Sequence, residues 1–176
     1  PAVVSLGDGG IATLTFDEPI YNREGFDFAV FENSFDDYFL ELAHVEVSTD
    51  GINYVRFPSI SNTQTSTQVM PFGILDAHNI YNLAGKYRGQ YGTPFDLEEL
   101  KDSIKINIDS INYVRIIDVI GSINSQFGSF DSKGNIRNVK ESDTDSFHKI
   151  DEDGNRIEGA SLELDKKVVE GQIVLE

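Results

Sequence analysis

Cysteine is absent from the 176-residue sequence, and basic residues are scarce. Without cysteine there is no thiolate nucleophile, no cysteine-ligated zinc and no disulfide, although bacterial export requires none of these. Only 14 lysines and arginines stand against 30 aspartates and glutamates, which gives a net charge of −16. We therefore expect no nucleic-acid partner and no anionic membrane surface, because both are bound through basic side chains.

Long apolar runs are missing as well. No stretch reaches the roughly 18 residues of a membrane-spanning helix, and no signal peptide is visible, so we expect a chain that does not span a membrane. The sequence begins at Pro1, beside the strand-like AVVSL, and we expect a leader to have been removed before this point. The excess carboxylates suit a salty or calcium-bearing medium, or they serve only solubility.

Alternating and β-branched segments dominate what is present. Asp50-Gly51 predicts a tight hairpin, because this dipeptide favours positive φ. Length and pattern together predict a single all-β domain over residues 1–176, an antiparallel β-sandwich of jelly-roll type with one short helix. The predicted strands cover residues 11–17, 26–32, 42–49, 53–57, 104–108, 111–120, 147–150, 156–158, 162–169 and 171–175.

The helix is predicted to begin at Thr93, which suits an N-cap, with Pro94 at the first helical position and Asp96 at the third. Before it, residues 58–93 form a long segment rich in polar residues. Its aromatic side chains predict an ordered loop rather than a disordered one.

Two predicted strands run from an apolar face into an acid. Phe28 and Val30 share a face that ends at Glu32, and Ile116 shares a face with Asp118. An acid at the rim of an apolar face is costly unless it is paired or binds a metal. Three interpretations remain open: a calcium ion, which takes about six to eight oxygen ligands; pairing with Arg56 or Arg115; or exposure to solvent. The candidate calcium ligands are Glu32, Asn33, Asp36, Asp37, Glu46 and Asp118.

Five longer segments occur in a familiar order: SLGDGGIATLTFDEPI, GFDFAVFENSF, FLELAHVEVSTDGINYVRFP, NLAGKYRGQYGTPFDLEEL and VRIIDVIGSI. Over roughly residues 4–137 the chain resembles a group of exported cell-surface proteins of Gram-negative bacteria. The resemblance implies a calcium-stabilised β-sandwich without catalytic activity, exposed outside the cell and tied to an outer-membrane nutrient uptake system. Some members accompany vitamin B12 (corrinoid) uptake, and the sandwich resembles carbohydrate-binding modules.

The C-terminal segment departs from the pattern of that group. The resemblance implies a closing strand that reads approximately GGFDLDAVGV, and the nearest match is GASLELDKKVV at 159–169. Glu163 and Asp165 would stand where the two acids of that strand fall, which adds Asp165 to the candidate calcium ligands. Lys166 and Lys167 replace small residues of the pattern.

Three glycine-containing motifs predict turns. DEDGN at 151–155 has glycine in the fourth position of an EF-hand-like loop and Leu162 in the twelfth, where glycine in the sixth and a bidentate glutamate are needed. DSKGN at 131–135 fails the same test. GDGG at 7–10 lacks the third glycine and the following helix of a dinucleotide site.

The segment NIYNLAGKYRGQYG at 79–92 is the candidate ligand-binding loop. Tyrosine rings with flanking polar groups suit a glycan or a large planar molecule such as a corrinoid. The alternative is that the tyrosines only pin the loop to the sandwich. The candidate ligand-binding residues are Tyr81, Asn82, Lys86, Tyr87, Arg88 and Tyr91.

Signs of catalysis are few. His44, His78 and His148 lack metal-ligand spacing, and for His44, which shares a strand face with Glu46, a solvated or hydrogen-bonded position is expected. There is no nucleophile elbow and no P-loop. We expect no enzyme but a non-catalytic extracellular binding module with a structural calcium ion. The alternative is a structural or adhesive surface domain, and a glycoside-active enzyme is the least favoured class.

Overall fold

The computed structural model describes residues 6–32, 34 and 36–139, together with the backbone of two later strands, 161–163 and 172–175. Within these residues nearly all regular structure is extended. The strands are β1 (Ile11–Ile20), β2 (Phe28–Glu32), β3 (Ala43–Ser48), β4 (Tyr54–Arg56), β5 (Ile60–Ser61), β6 (Ile80–Tyr81), β7 (Thr93–Phe95), β8 (Ile111–Asp118), β9 (Ser161–Glu163) and β10 (Gln172–Leu175).

The strands form a five-stranded sheet, β4-β3-β8-β1-β9, a three-stranded sheet, β10-β2-β7, and the small pair β5-β6. Pairing is antiparallel except that β9 lies parallel to β1 and β10 parallel to β2. The all-β prediction is confirmed, and the jelly-roll connectivity stays a prediction. No helix in the described part of the chain is long and apolar enough to cross a membrane.

The core lies between the two larger sheets. Successive side chains of a strand point to opposite faces, so the alternating residues of β3 and β8 supply one apolar wall. Phe28 of β2 and Phe95 of β7 form the other wall, with their rings 5.4 Å apart, and Phe57 packs on both. Burial of each such side chain stabilises the fold by about 1.5–3 kcal/mol. The β3 and β8 residues in this cluster are Ala43, Val45, Val47, Ile111, Val114 and Ile116.

The Asp50-Gly51 hairpin is confirmed between β3 and β4. Gly51 has a φ of +74°. The Asp50 carboxylate accepts the backbone N–H groups of Ile52 and Asn53 at 2.9 and 2.7 Å, which fixes the turn. GDGG also forms the predicted turn, as does DSKGN, where Asp131 accepts from the N–H groups of Lys133 and Asn135.

The predicted helix start at Thr93 is wrong. Thr93–Phe95 is the edge strand β7, which pairs with β2 through Phe28 opposite Phe95. An edge strand tolerates Pro94, so sheet pairing outweighs the local helix signal. A short 3₁₀ helix, Leu97–Leu100, follows instead, and its N-cap is Asp96, whose carboxylate accepts the Glu98 N–H. A second 3₁₀ turn covers Ala77–Asn79.

The predicted strand at 104–108 is also wrong, because this segment forms turns. The Ser103 hydroxyl accepts the Lys105 N–H and the Asn107 side chain accepts the Asp109 N–H, and such local bonds compete with strand pairing. Predicted strands at 147–150 and 156–158, the turn at 151–155 and most of the strand at 162–169 lie outside the described residues.

Candidate functional site

The candidate loop at 79–92 is held to the five-stranded sheet by small and aliphatic residues. Leu83 and Ala84 are completely buried. Ala84 exchanges two backbone hydrogen bonds with Ala43, at 3.1 and 2.9 Å. Asn82, with a φ of +49°, is buried beside them and donates to the Glu99 carboxylate at 2.6 Å. The anchor of this loop is therefore the Asn82–Ala84 segment.

The three tyrosines of the loop are exposed. Tyr81, Tyr87 and Tyr91 keep 50%, 40% and 59% of their surface open. Tyr81 is tethered weakly, since its hydroxyl donates to Glu99 at 3.3 Å. The three rings therefore face solvent, on a loop whose backbone is anchored at Asn82–Ala84.

Two of the tyrosines carry a cation above the ring. Lys86 Nζ lies 5.5 Å from the Tyr87 ring centre, and Arg88 Cζ lies 5.6 Å from that of Tyr91. Arg88 also reaches Asp37, with Nε 3.4 Å from Oδ1. Cation–π contacts of this kind are worth about 0.5–1 kcal/mol at exposed sites, and they orient both partners. The arrangement offers stacking faces beside hydrogen-bond donors.

The acids proposed as calcium ligands are not brought together. Glu46 lies in the middle of β3, where it is almost buried between Arg56 of β4 and Arg115 of β8. Its Oε1 accepts from Arg56 and its Oε2 from Arg115, at 2.6–2.9 Å. This is the arginine pairing that the sequence left open as an alternative to calcium.

Asp118 has very different surroundings at the end of β8. Its Oδ2 accepts the Gly9 N–H at 3.1 Å, so the GDGG turn lies directly against it. Burial is the main reason why the pKa of Asp118 is raised to about 8; the charges of Asp8 and Glu41 contribute in the same direction, and the Gly9 hydrogen bond opposes them. Sequence reasoning missed Asp8 and Glu41, and the turn that precedes β1 was a signal for Asp8 alone.

The other predicted ligands are dispersed. Glu32 is buried at the end of β2, close to Gly85. Asp36 accepts the N–H groups of Tyr38 and Phe39 and so closes a local turn. Asn33 and Asp165 lie outside the described residues. Among the residues the structure describes, no three acids or histidines converge as a metal site. The members of the predicted set that the structure describes therefore do not form a calcium site among themselves.

His44 is not on a solvated face. It is buried on β3, where burial and the charges of Arg56 and Arg137 lower its pKa to about 3, so the ring is neutral. Its Nδ1 has no hydrogen-bond partner among the described residues. The solvated position is thus corrected to a buried one, and the hydrogen-bonded alternative stays a prediction for Nε2. His78 is exposed and contacts Asp76 at 2.7 Å; His148 lies outside the described residues.

Arg137 is the polar residue that sequence reasoning missed entirely. It is fully buried, and burial lowers its pKa to about 10. Its Nη2 donates to the backbone oxygen and the hydroxyl of Ser59, at 3.2 and 2.7 Å. Nothing local in RNV distinguishes a buried arginine from an exposed one.

Comparisons of the sequence and of the structure with known proteins found no matching family model, no similar curated protein and no similar solved structure. The fold defines the chain as an all-β protein whose two larger sheets share one core.

Proposed function

We propose that the chain is a non-catalytic binding module on the outer surface of a Gram-negative bacterium. It captures a nutrient, a corrinoid or a glycan, through the tyrosine loop at 79–92 and passes it to an outer-membrane uptake system. The observation that supports this proposal best is the exposure of Tyr87 and Tyr91 on an anchored backbone, each beside a cation. The surface location and the uptake partner rest on the resemblance of the sequence.

The physical argument is preorganisation. A loop that is already fixed through Ala84 and Asn82 loses little entropy when a ligand binds, so more of the contact energy appears as affinity. Exposed aromatic rings also have a hydration cost that a stacked sugar or planar ring removes. The alternative is a structural or adhesive surface domain, in which these rings bind no small molecule.

The test is a binding screen with cyanocobalamin and a panel of neutral glycans, on the wild type and on Tyr87→Ala and Tyr91→Ala. The matched control is Tyr21→Ala, since Tyr21 is equally exposed and has Arg23 above its ring at 5.8 Å. We expect saturable binding that falls at least tenfold in the two loop variants and not in the control. No saturable binding, or equal loss in all three variants, would favour the structural alternative.

A stabilising calcium ion is the second part of the proposal. Among the predicted ligands that the structure describes, it rests on Asp118, whose carboxyl is influenced by the charges of Asp8 and Glu41. These three acids do not form a ready metal site, so calcium would have to draw them together. A cation there would relieve the repulsion among these acids. At a hundredfold excess over Kd, binding would add about 2.7 kcal/mol to the free energy of unfolding.

The measurement is thermal melting in EDTA and in millimolar calcium, with Asp118→Asn as the variant and the exposed Asp109→Asn as the control. Calcium should raise the melting temperature of the wild type and of Asp109→Asn by several degrees, and should leave Asp118→Asn unchanged. An equal response in all three proteins, or none, would remove calcium from this position.

A further inference from the structure

The outer face of the five-stranded sheet carries a second candidate site, which shares no residue with the tyrosine loop. Arg56 of β4, Glu46 of β3 and Arg115 of β8 stand in one cross-strand row, as the register of the three strands requires. Tyr54 lies beside them on β4. We call Arg56, Glu46, Arg115 and Tyr54 the arginine face.

Charge on the arginine face is unbalanced. Two guanidinium groups share the single carboxylate of Glu46, and one would neutralise it. This leaves a surplus positive charge on a chain whose net charge is −16. One arginine is enough to neutralise the buried Glu46 carboxylate, so the charge of the second arginine is not needed for that purpose.

Both arginines are held in position. Each uses Nε and Nη2 on Glu46, at 2.6–2.9 Å. Arg115 also lies 3.5 Å above the centre of the Tyr54 ring, close enough for full stacking. Surface arginines normally lose much side-chain entropy on binding, and here that loss has already occurred on folding.

The remaining donors point away from Glu46. Neither Nη1 makes a hydrogen bond to the residues that the structure describes, and the side chains of Arg56 and Arg115 are 43% and 28% exposed. The planar fork of a guanidinium matches the oxygens of a carboxylate or sulfate. The adjacent positions of the same face are hydroxyl-bearing: across β1 and β8, Thr13 pairs with Arg115 and Thr15 pairs with Tyr113.

We propose that the arginine face binds the acidic groups of a polysaccharide. The fixed guanidinium groups would bind the carboxylate or sulfate group, and the flanking hydroxyl groups would form hydrogen bonds with the sugar hydroxyls. The acidic remainder of the protein would repel a polyanion, so binding must be local to this face. The proposal does not depend on the tyrosine loop.

The test is affinity electrophoresis in gels that contain polygalacturonate, dextran sulfate or neutral dextran. The variant is Arg56→Gln, which leaves Glu46 paired with Arg115. The matched control is Arg23→Gln, which removes the same charge from another arginine that lies above a tyrosine ring. Thermal melting of each protein establishes that it is folded at the temperature of the gel.

We expect retardation by a charged polymer, at least tenfold weaker in Arg56→Gln and unchanged in Arg23→Gln and in Tyr87→Ala. Retardation by polygalacturonate identifies carboxylates as the bound group, and retardation by dextran sulfate alone identifies sulfates. Failure of both charged polymers, equal retardation by neutral dextran, or equal loss in the two arginine variants would overturn the proposal. Because Tyr87→Ala affects only the loop, the result does not depend on the fate of the nutrient-binding proposal.

Discussion

Glu46 and Asp118 are acids on neighbouring strands of one sheet, both candidates for the same metal, and their surroundings are opposite. Glu46 is neutralised twice, by Arg56 and Arg115. Asp118 accepts the backbone N–H of Gly9 and is influenced by the charges of two further acids, Asp8 and Glu41. The first carboxylate is hydrogen-bonded to two guanidinium groups, whereas burial and like charges disfavour the charged form of the second. The comparison shows that a position on a strand of this sheet does not decide how an acid is accommodated; the groups that distant segments bring beside it do.

Replacing Glu46 should have the largest effect on the stability of the protein. Glu46→Gln leaves two guanidinium groups side by side without their carboxylate, which should lower the free energy of unfolding by about 3 kcal/mol, the lower end of the loss for a fully buried pair, because the arginines are partly exposed. For a chain of this length that corresponds to a fall of roughly 6–12 °C in melting temperature.

The control for Glu46 is Glu98→Gln. Glu98 contacts Lys101 at 2.8 Å, but both side chains are more than half exposed, and such pairs are worth about 0–1 kcal/mol. Chemical denaturation of both variants measures the difference. If Glu46→Gln is no more destabilising than Glu98→Gln, the two arginines do not depend on Glu46 for their positions, and the preorganisation of the arginine face is lost as an argument.

The replacement of Asp118 should raise the free energy of unfolding, whereas the replacement of Glu46 lowers it. Its folded pKa of about 8 lies above the ordinary value of 3.8, so the native state holds a proton that the unfolded chain has released between these values. Stability contributed by this group is present at low pH and is lost as pH rises towards 8. Asp118→Asn, which can still accept from Gly9, should therefore be more stable than the wild type at pH 8 and little different at pH 4, with an advantage that grows by at most about 1.4 kcal/mol per pH unit between them.

The experiment for Asp118 is unfolding by urea at several pH values in EDTA, and again in millimolar calcium. A gain that is independent of pH would show that the carboxyl is not perturbed. If calcium binds at Asp118, the advantage of the asparagine variant at pH 8 should disappear when calcium is present, since the cation favours the charged carboxylate.

Local sequence patterns predicted the strands that carry Glu46 and Asp118, but they did not predict which side chains lie beside these acids. Alternation in VEVS and VRII placed Val45, Val47 and Ile116 in the core, and Asp50-Gly51 gave the hairpin that aligns β4 with β3. Arginine pairing was foreseen only as one alternative. Which acid obtains the arginines depends on the register of β3 against β8, and the two strands are separated by more than sixty residues.

The errors have the same origin. Thr93-Pro94 carries a good helix-start signal, yet pairing with β2 makes it a strand. Arg137 and His44 look like surface residues in the sequence, but segments distant along the chain bury both. Propensity is a local quantity, whereas burial and electrostatic pairing arise only when distant segments meet.

His44 gives the smallest and sharpest prediction, because its proton linkage opposes that of Asp118. Its folded pKa of about 3 lies below the ordinary value of 6.5, so between these values the unfolded chain binds a proton that the native state does not. Stability contributed by this group is present above pH 6.5 and is lost as pH falls. Between pH 5 and 6.5 the two groups therefore change stability in opposite directions, each by at most about 1.4 kcal/mol per pH unit.

Over this interval the stability of the wild type should be nearly independent of pH as far as these two groups are concerned. His44→Gln should become less stable as pH rises from 5 to 6.5, since only the Asp118 linkage remains, and Asp118→Asn should become more stable. Urea unfolding of the three proteins at pH 5, 5.8 and 6.5 measures these slopes. Equal slopes in all three would mean that His44 and Asp118 titrate normally in the folded protein, and the contrast between Glu46 and Asp118 would then reduce to geometry alone.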